Sequence, residues 1–295
     1  MKPLRTALFA PGIKERVMTK ALESGADAVI FDLEDSVPVA AKAEARDLVS
    51  RAIAAAAVRA ARPAVYVRVN SAASGLLDAD LSAVVQRGLD GVFLPKAETT
   101  GEVEKTAATL GRLEGERDVP AGSVEIVLMI ESALGVYRCY EMLQGSPRVA
   151  TACIGGARDG DLQTDLGCSW SIEGTELMYA RSKVLLDTRA AGRLYPLDGV
   201  YSDLEDEAGL RRDTRLSARL GYVGRTVIHP RQIGPVREAY AVPEEDVTYY
   251  REVVAQFEAA EKTGQTAAIV VDGKLVDYAM YGRAKRVLAL SELDR

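Results

Sequence analysis

The strongest constraint on this 295-residue chain is a repeat in which a short apolar run is followed by a stretch of helical periodicity, eight times over. The runs are TALFAP (6–11), DAVIFDLE (27–34), AVYVRVN (64–70), GVFLPK (91–96), VEIVLMIE (124–131), VATACIG (149–155), LDGVYSD (197–203) and GRTVIHP (224–230). Several are apolar at successive rather than alternate positions, the pattern of a strand covered on both faces. Amphipathic stretches such as 40–57 and 173–192 supply the helices between them. Eight such units predict an α/β chain folded as a (β/α)8 TIM barrel over residues 1–240, with residues 241–295 as a C-terminal helical extension. That extension begins with a helix at PEEDVTYY, and no Ser- or Gly-rich linker precedes it.

Charge and cysteine content narrow the partners. With 37 Lys and Arg against 43 Asp and Glu the net charge is −6, which argues against nucleic acid and against anionic membrane. Small molecules or other subunits remain. The three cysteines (139, 153, 168) have neither zinc-like spacing nor an even count, which predicts a reducing, cytoplasmic compartment. The opening MKPLRTALFAPG carries too short an apolar run for a secretory signal, and no stretch is long enough for a membrane span.

A barrel builds its active site at the C-terminal ends of its strands, and here those ends carry reactive types. They are Asp32, Glu34 and Asp35 after the second run, Arg68 and Asn70 at the third, Lys96 at the fourth and Glu131 at the fifth. Asp159 and Asp161 follow the sixth, Asp203 ends the seventh and His229 the eighth. Spacing puts Asp32 and Glu34 on one face, but does not say whether that face points inward. Two carboxylates from separate strands, with water as filler, suit Mg²⁺, and Glu131 and Asp161 are the candidates. Arg68 and Lys96 would bind an anionic substrate or a developing oxyanion. The single histidine, His229 before a proline, reads as a hydrogen-bonded structural residue, and no cysteine has a paired base. The LFAPG turn before Lys14 and Arg16 reads equally as an anion site or as an ordinary turn.

The segments LFAPG, DAVIFDLEDSV, KAEAR, YVRVN, GVFLPK, MIES, GDLQTDLG, GYVGRTVIHPRQI and VVDGKLVD, in this order, resemble the citrate lyase beta subunit-like family of CoA-ester lyases. The resemblance covers nearly the whole chain. It implies a Mg²⁺-dependent TIM barrel, with Mn²⁺ as a substitute, that takes a coenzyme A thioester and a 2-oxo acid and assembles as a homotrimer or hexamer. It implies Glu131 and Asp161 as metal ligands and Arg68 as a substrate-binding and catalytic residue beside the metal. Lys96 and Lys14 are substrate-binding candidates, and Asp32 and Glu34 are expected to orient Arg68, Lys96 and metal-bound waters. Asp35 is expected to cap the following helix. The extension is expected to reach a neighbouring subunit and donate Asp277, with Asp272 less favoured. One departure is that relatives read Glu-Asp where this chain has Gly160-Asp161, which leaves Asp159 as an alternative ligand. Rival readings are a metal-dependent pyruvate aldolase, a thioesterase acting after condensation, and a non-catalytic, complex-bound subunit.

Overall fold

The computed structural model describes residues 2–264 and 268–294, which fall into two compact units, Met1–Ala239 and Tyr240–Arg295. In the first, eight parallel strands close into a barrel: β1 Thr6–Pro11, β2 Ala28–Asp32, β3 Ala64–Arg68, β4 Gly91–Pro95, β5 Glu125–Ile130, β6 Val149–Ile154, β7 Leu197–Asp198 and β8 Gly224–Val227. β8 returns to pair with β1, with Thr6 opposite Arg225. Each apolar run thus becomes a strand, but β7 is only two residues of its predicted seven. A Cβ at Gly199 would come within 2.6 Å of both the Gly156 nitrogen and the Ile154 carbonyl, so the chain crosses here against bare backbone and then leaves the sheet.

The interior is filled by one residue parity. Ala7, Ala28, Ile30, Tyr66, Phe93, Val127, Met129, Cys153 and Leu197 form a single buried cluster, with Phe9 and Ala64 packed against it. The Tyr66 ring needs space inside the barrel, and Gly91 provides it: a Cβ there would lie 2.7 Å from the ring. This packing settles which faces point inward. Asp32 is two residues beyond Ile30, Arg68 two beyond Tyr66 and Glu131 two beyond Met129, so all three continue the interior parity at the C-terminal mouth.

The second unit contains the helix Glu244–Lys262, a two-stranded antiparallel hairpin of β9 Ala268–Val271 and β10 Lys274–Asp277, and the helix Tyr278–Ser291. It has its own core of Val253, Phe257, Val271, Val276 and Ala284, with the Phe257 and Tyr281 rings stacked at 4.6 Å. The hairpin is an addition to the helical extension expected from sequence. Among the described residues no helix is long and apolar enough to cross a membrane.

Candidate active site

The centre of the mouth is a register pair. Asp32 and Arg68 are directly opposed on β2 and β3, and the guanidinium lies flat against the carboxylate, with Nε donating to Oδ1 at 2.7 Å and a terminal nitrogen to Oδ2 at 2.8 Å. Asp32 also accepts the backbone N–H groups of Glu34 and Ser36, so it fixes the turn after β2 as well as the arginine. Burial disfavours its charge, but the hydrogen bonds and charge of Arg68 outweigh this and hold the carboxyl below its usual range. Glu34 lies 3.1 Å from Arg68 and 3.0 Å from Lys96. Burial wins in its case and pushes its pKa up.

Lys96 holds a left-handed backbone (φ 53°), a conformation uncommon outside glycine. Its ammonium lies among Glu34 at 3.0 Å, Asp35 at 3.4 Å and Asp161 at 3.2 Å. Desolvation works against the charge there, and these carboxylates more than restore it. Asp35 does not cap a helix as expected. It is 55% exposed and turned to Arg68 and Lys96, while the Val37 N–H goes to the Glu34 carbonyl and Pro38 has no N–H for it to cap.

Glu131 is 7% exposed, and its Oε2 has no hydrogen-bond partner. Burial raises its pKa to about 8, with Arg68 opposing and Glu34 adding to the shift. Gly155 on the next strand is what lets it sit there: a Cβ at 155 would fall 2.5 Å from Glu131 Cγ. Glu131, Asp32, Arg68, Asp35 and Asp161 line one cavity of about 470 Å³ at the mouth. The rest of its wall is mainly apolar, including Phe9, Pro11, Met129, Ala157, Val200 and Ile228. No group of three His, Cys, Asp or Glu side chains among the described residues is arranged to hold an ion. Two carboxylates, one with an orphaned buried oxygen, do fit a cation that keeps part of its water shell, as Mg²⁺ does.

Comparison with known proteins agrees with this chemistry. The HpcH/HpaI aldolase/citrate lyase family matches residues 5–230, and a family of carbon–carbon bond lyases of the TIM-barrel fold matches residues 182–279. The citrate lyase subunit beta of Leuconostoc mesenteroides subsp. cremoris is 34% identical over 290 residues, covering 98% of this chain and 94% of that one. The (3S)-malyl-CoA thioesterase of Cereibacter sphaeroides is 33% identical over 98% of this chain and 95% of its own. The protein CitE of Mycobacterium tuberculosis, solved in complex with magnesium, acetoacetate and coenzyme A, superposes with a TM-score of 0.75 at 27% identity, covering 98% of both chains. The chain belongs to the HpcH/HpaI aldolase/citrate lyase family.

Within this family framework, the other residues singled out from sequence are placed as follows. Asp161 begins the helix Asp161–Leu166, is half exposed and faces the cavity. Asp159 is turned to solvent beside Arg158 at 3.6 Å and does not line the cavity. Lys14 is exposed before the helix Glu15–Ala21 and lines no part of it. His229 accepts the Arg231 N–H through Nδ1 and caps a short turn. Cys139 and Cys153 are buried, and burial lifts both thiols, Cys139 to about 12, so neither is a nucleophile. Asp277 caps the helix Tyr278–Ser291 by accepting the Met280 N–H at 2.9 Å and is exposed.

Two features escaped the sequence reading. Lys42 is buried, and its ammonium donates to the carbonyls of Leu33 (2.6 Å) and Glu34 (2.7 Å) and to Asn70 Oδ1 (2.7 Å). Asn70 bonds Asp80, which Arg46 pairs at 2.7 Å, so a polar chain clamps the turn that carries Glu34. The signal was available: Lys42 shares a helical stripe with the buried Ala45, Val49, Ile53 and Ala56. The second is an ion cluster behind β7 and β8. Asp198 and Arg225 are register partners there, and Arg181 and Asp213 join them from the helices Met178–Ala190 and Glu207–Leu220. It borders a separate cavity of about 310 Å³.

Proposed function

We propose that this chain is a Mg²⁺-dependent carbon–carbon lyase that cleaves a 3-hydroxyacyl-CoA thioester to an acyl-CoA and a 2-oxo acid, or runs the reverse condensation. The observation that carries the reading is the orphaned, buried Glu131 carboxylate facing the same cavity as Arg68 and Asp161. Glu131 and Asp161 would hold the ion, which supplies electrophilic polarisation of the oxygen on the carbon being cleaved. Cleavage takes the proton from the 3-hydroxyl, turns that oxygen into a ketone and leaves the bonding pair of the broken carbon–carbon bond on the α-carbon of the thioester. The resulting enolate oxygen needs a fixed donor, and Arg68 is fixed: Asp32 sets its plane from one side and Glu34 its edge. A proton then returns to the α-carbon. Asp32, Glu34 and Lys96 act by positioning, and Lys96 steadies Asp161 at the rim.

We place the acid–base group on Asp277 of a neighbouring subunit in a homotrimer or hexamer, supported by its exposure and by the family motif around it. The purified chain, incubated with malyl-, citramalyl- and citryl-CoA, should release acyl-CoA and 2-oxo acid with Mg²⁺ and not after chelation. Turnover only of CoA-free pyruvate–aldehyde adducts would favour the aldolase, and an inert chain the non-catalytic subunit. Arg68→Ala and Asp277→Ala chains, inactive singly, should recover activity on co-assembly, and no recovery would return Asp277 to its capping role alone.

A further inference from the structure

The cavity that Glu131 and Arg68 share is short of positive charge. Among the described residues, Arg68 is the one cation in its lining, against the carboxylates of Asp32, Asp35, Glu131 and Asp161. That guanidinium is already committed twice to Asp32 and once each to Glu34 and Asp35, and its remaining N–H is the one assigned above to the enolate oxygen. Lys96 is engaged by three carboxylates and does not line the cavity. Arg158 lines the neighbouring cavity instead, with its guanidinium over the Trp170 ring at 5.3 Å. The wall left for the far end of a substrate is Phe9, Pro11, Met129, Ala157, Val200 and Ile228.

A 2-oxo acid that turned its carboxylate and keto oxygen toward the ion that Glu131 and Asp161 would hold would turn its remaining substituent to this wall. A methyl or other short alkyl group gains contact with it. A second carboxylate would lose water against apolar side chains or lie beside like charges, with no uncommitted cation among this chain's described lining residues to receive it. We infer that the 2-oxo acid of this enzyme is a monocarboxylate with a small apolar substituent on the keto carbon, of the pyruvate type, and not a dicarboxylate of the oxaloacetate type. This selectivity rests on the lyase reading for its place in a reaction, but it can be measured without turnover.

Calorimetric titration of the Mg²⁺-loaded full-length protein with pyruvate, and separately with freshly dissolved oxaloacetate, tests it. Pyruvate should bind at least about tenfold more tightly, a difference of about 1.4 kcal/mol. Equal affinity, or tighter oxaloacetate, overturns the inference. Ile228→Arg places a cation in the wall at a position already 40% exposed, and should narrow the gap at least about threefold while the melting temperature is kept. A folded variant with an unchanged gap overturns the charge argument. If the protein keeps the pyruvate preference but cleaves no thioester, the lyase reading falls and the selectivity stands. Cleavage of citryl-CoA in preference to citramalyl-CoA does the reverse.

Discussion

Two ion clusters flank the barrel wall of this molecule and follow opposite rules. Behind β7 and β8, two arginines meet two aspartates. Arg181 pairs Asp213 at 2.9 Å and also Asp198, and Arg225 pairs Asp213 at 2.8 Å while bonding the Gly199 carbonyl and the Thr214 hydroxyl. Charge is balanced, and only Nε of Arg181 lacks an acceptor in the cluster. At the mouth, Arg68 and Lys96 pair with Asp32, Glu34, Asp35 and Asp161, and buried oxygens of Glu34 and Glu131 go without hydrogen bonds. A balanced buried network holds a wall together, whereas a deficit of positive charge calls for a cation from outside the chain.

The largest test of this contrast is a pair of substitutions. Glu131→Gln replaces the orphaned carboxyl with an amide of the same shape that cannot ionise for a cation, so turnover should fall by at least about a hundredfold while the ion-free protein melts no lower than the wild type. Asp213→Ala strands two buried arginines and should cost about 3–5 kcal/mol in denaturant unfolding. If Glu131→Gln destabilises the fold, or Asp213→Ala leaves stability untouched, the division of labour is wrong.

The second test is pH. Glu131 titrates at about 8 against a usual 4.5. Between those values the folded, ion-free protein holds a proton that the unfolded chain has released, so this group lowers stability as pH rises through that window. Ion binding must displace the same proton. Apparent Mg²⁺ affinity should therefore climb by up to about tenfold per pH unit below 8 and level off above it. Asp213 behaves in the opposite sense. Burial opposes its charge, but Arg225 and Arg181 prevail and lower its pKa, so its stabilisation is present above the usual carboxylate range and is lost on acidification. Calorimetric titrations and melts across pH separate the two. The smallest expected effect is at Asp35, more than half exposed with contacts at 3.4 Å: Asp35→Asn should shift stability by less than about 1 kcal/mol in the same melts.

The barrel was legible because its signal is local. Runs such as AVIFD and EIVLMI are apolar at every position, as burial on both faces demands, and each became a strand. The list of strand-end polar residues was legible for the same reason. What was hidden depends on closure. Only the closed barrel shows that the parity of Ile30 and Tyr66 points inward, carrying Asp32 and Arg68 into the mouth. Pro38, which has no N–H to offer a cap at Asp35, stands in the sequence, whereas the pull of Arg68 and Lys96 on that carboxylate leaves no trace in spacing. The Arg181–Asp198–Asp213–Arg225 cluster joins residues up to 44 positions apart on two strands and two helices, a separation that no sequence window covers.

Gly155 gives the site a narrow genetic margin. Its missing side chain is the space that Glu131 occupies, with only 2.5 Å to spare for a methyl carbon. Every glycine codon is one base change from an alanine codon, so a lesion that alters no charge and no hydrogen-bonding group lies a single mutational step away. A copy carrying that change would lose the present posture of Glu131 while retaining its barrel and its ion pairs.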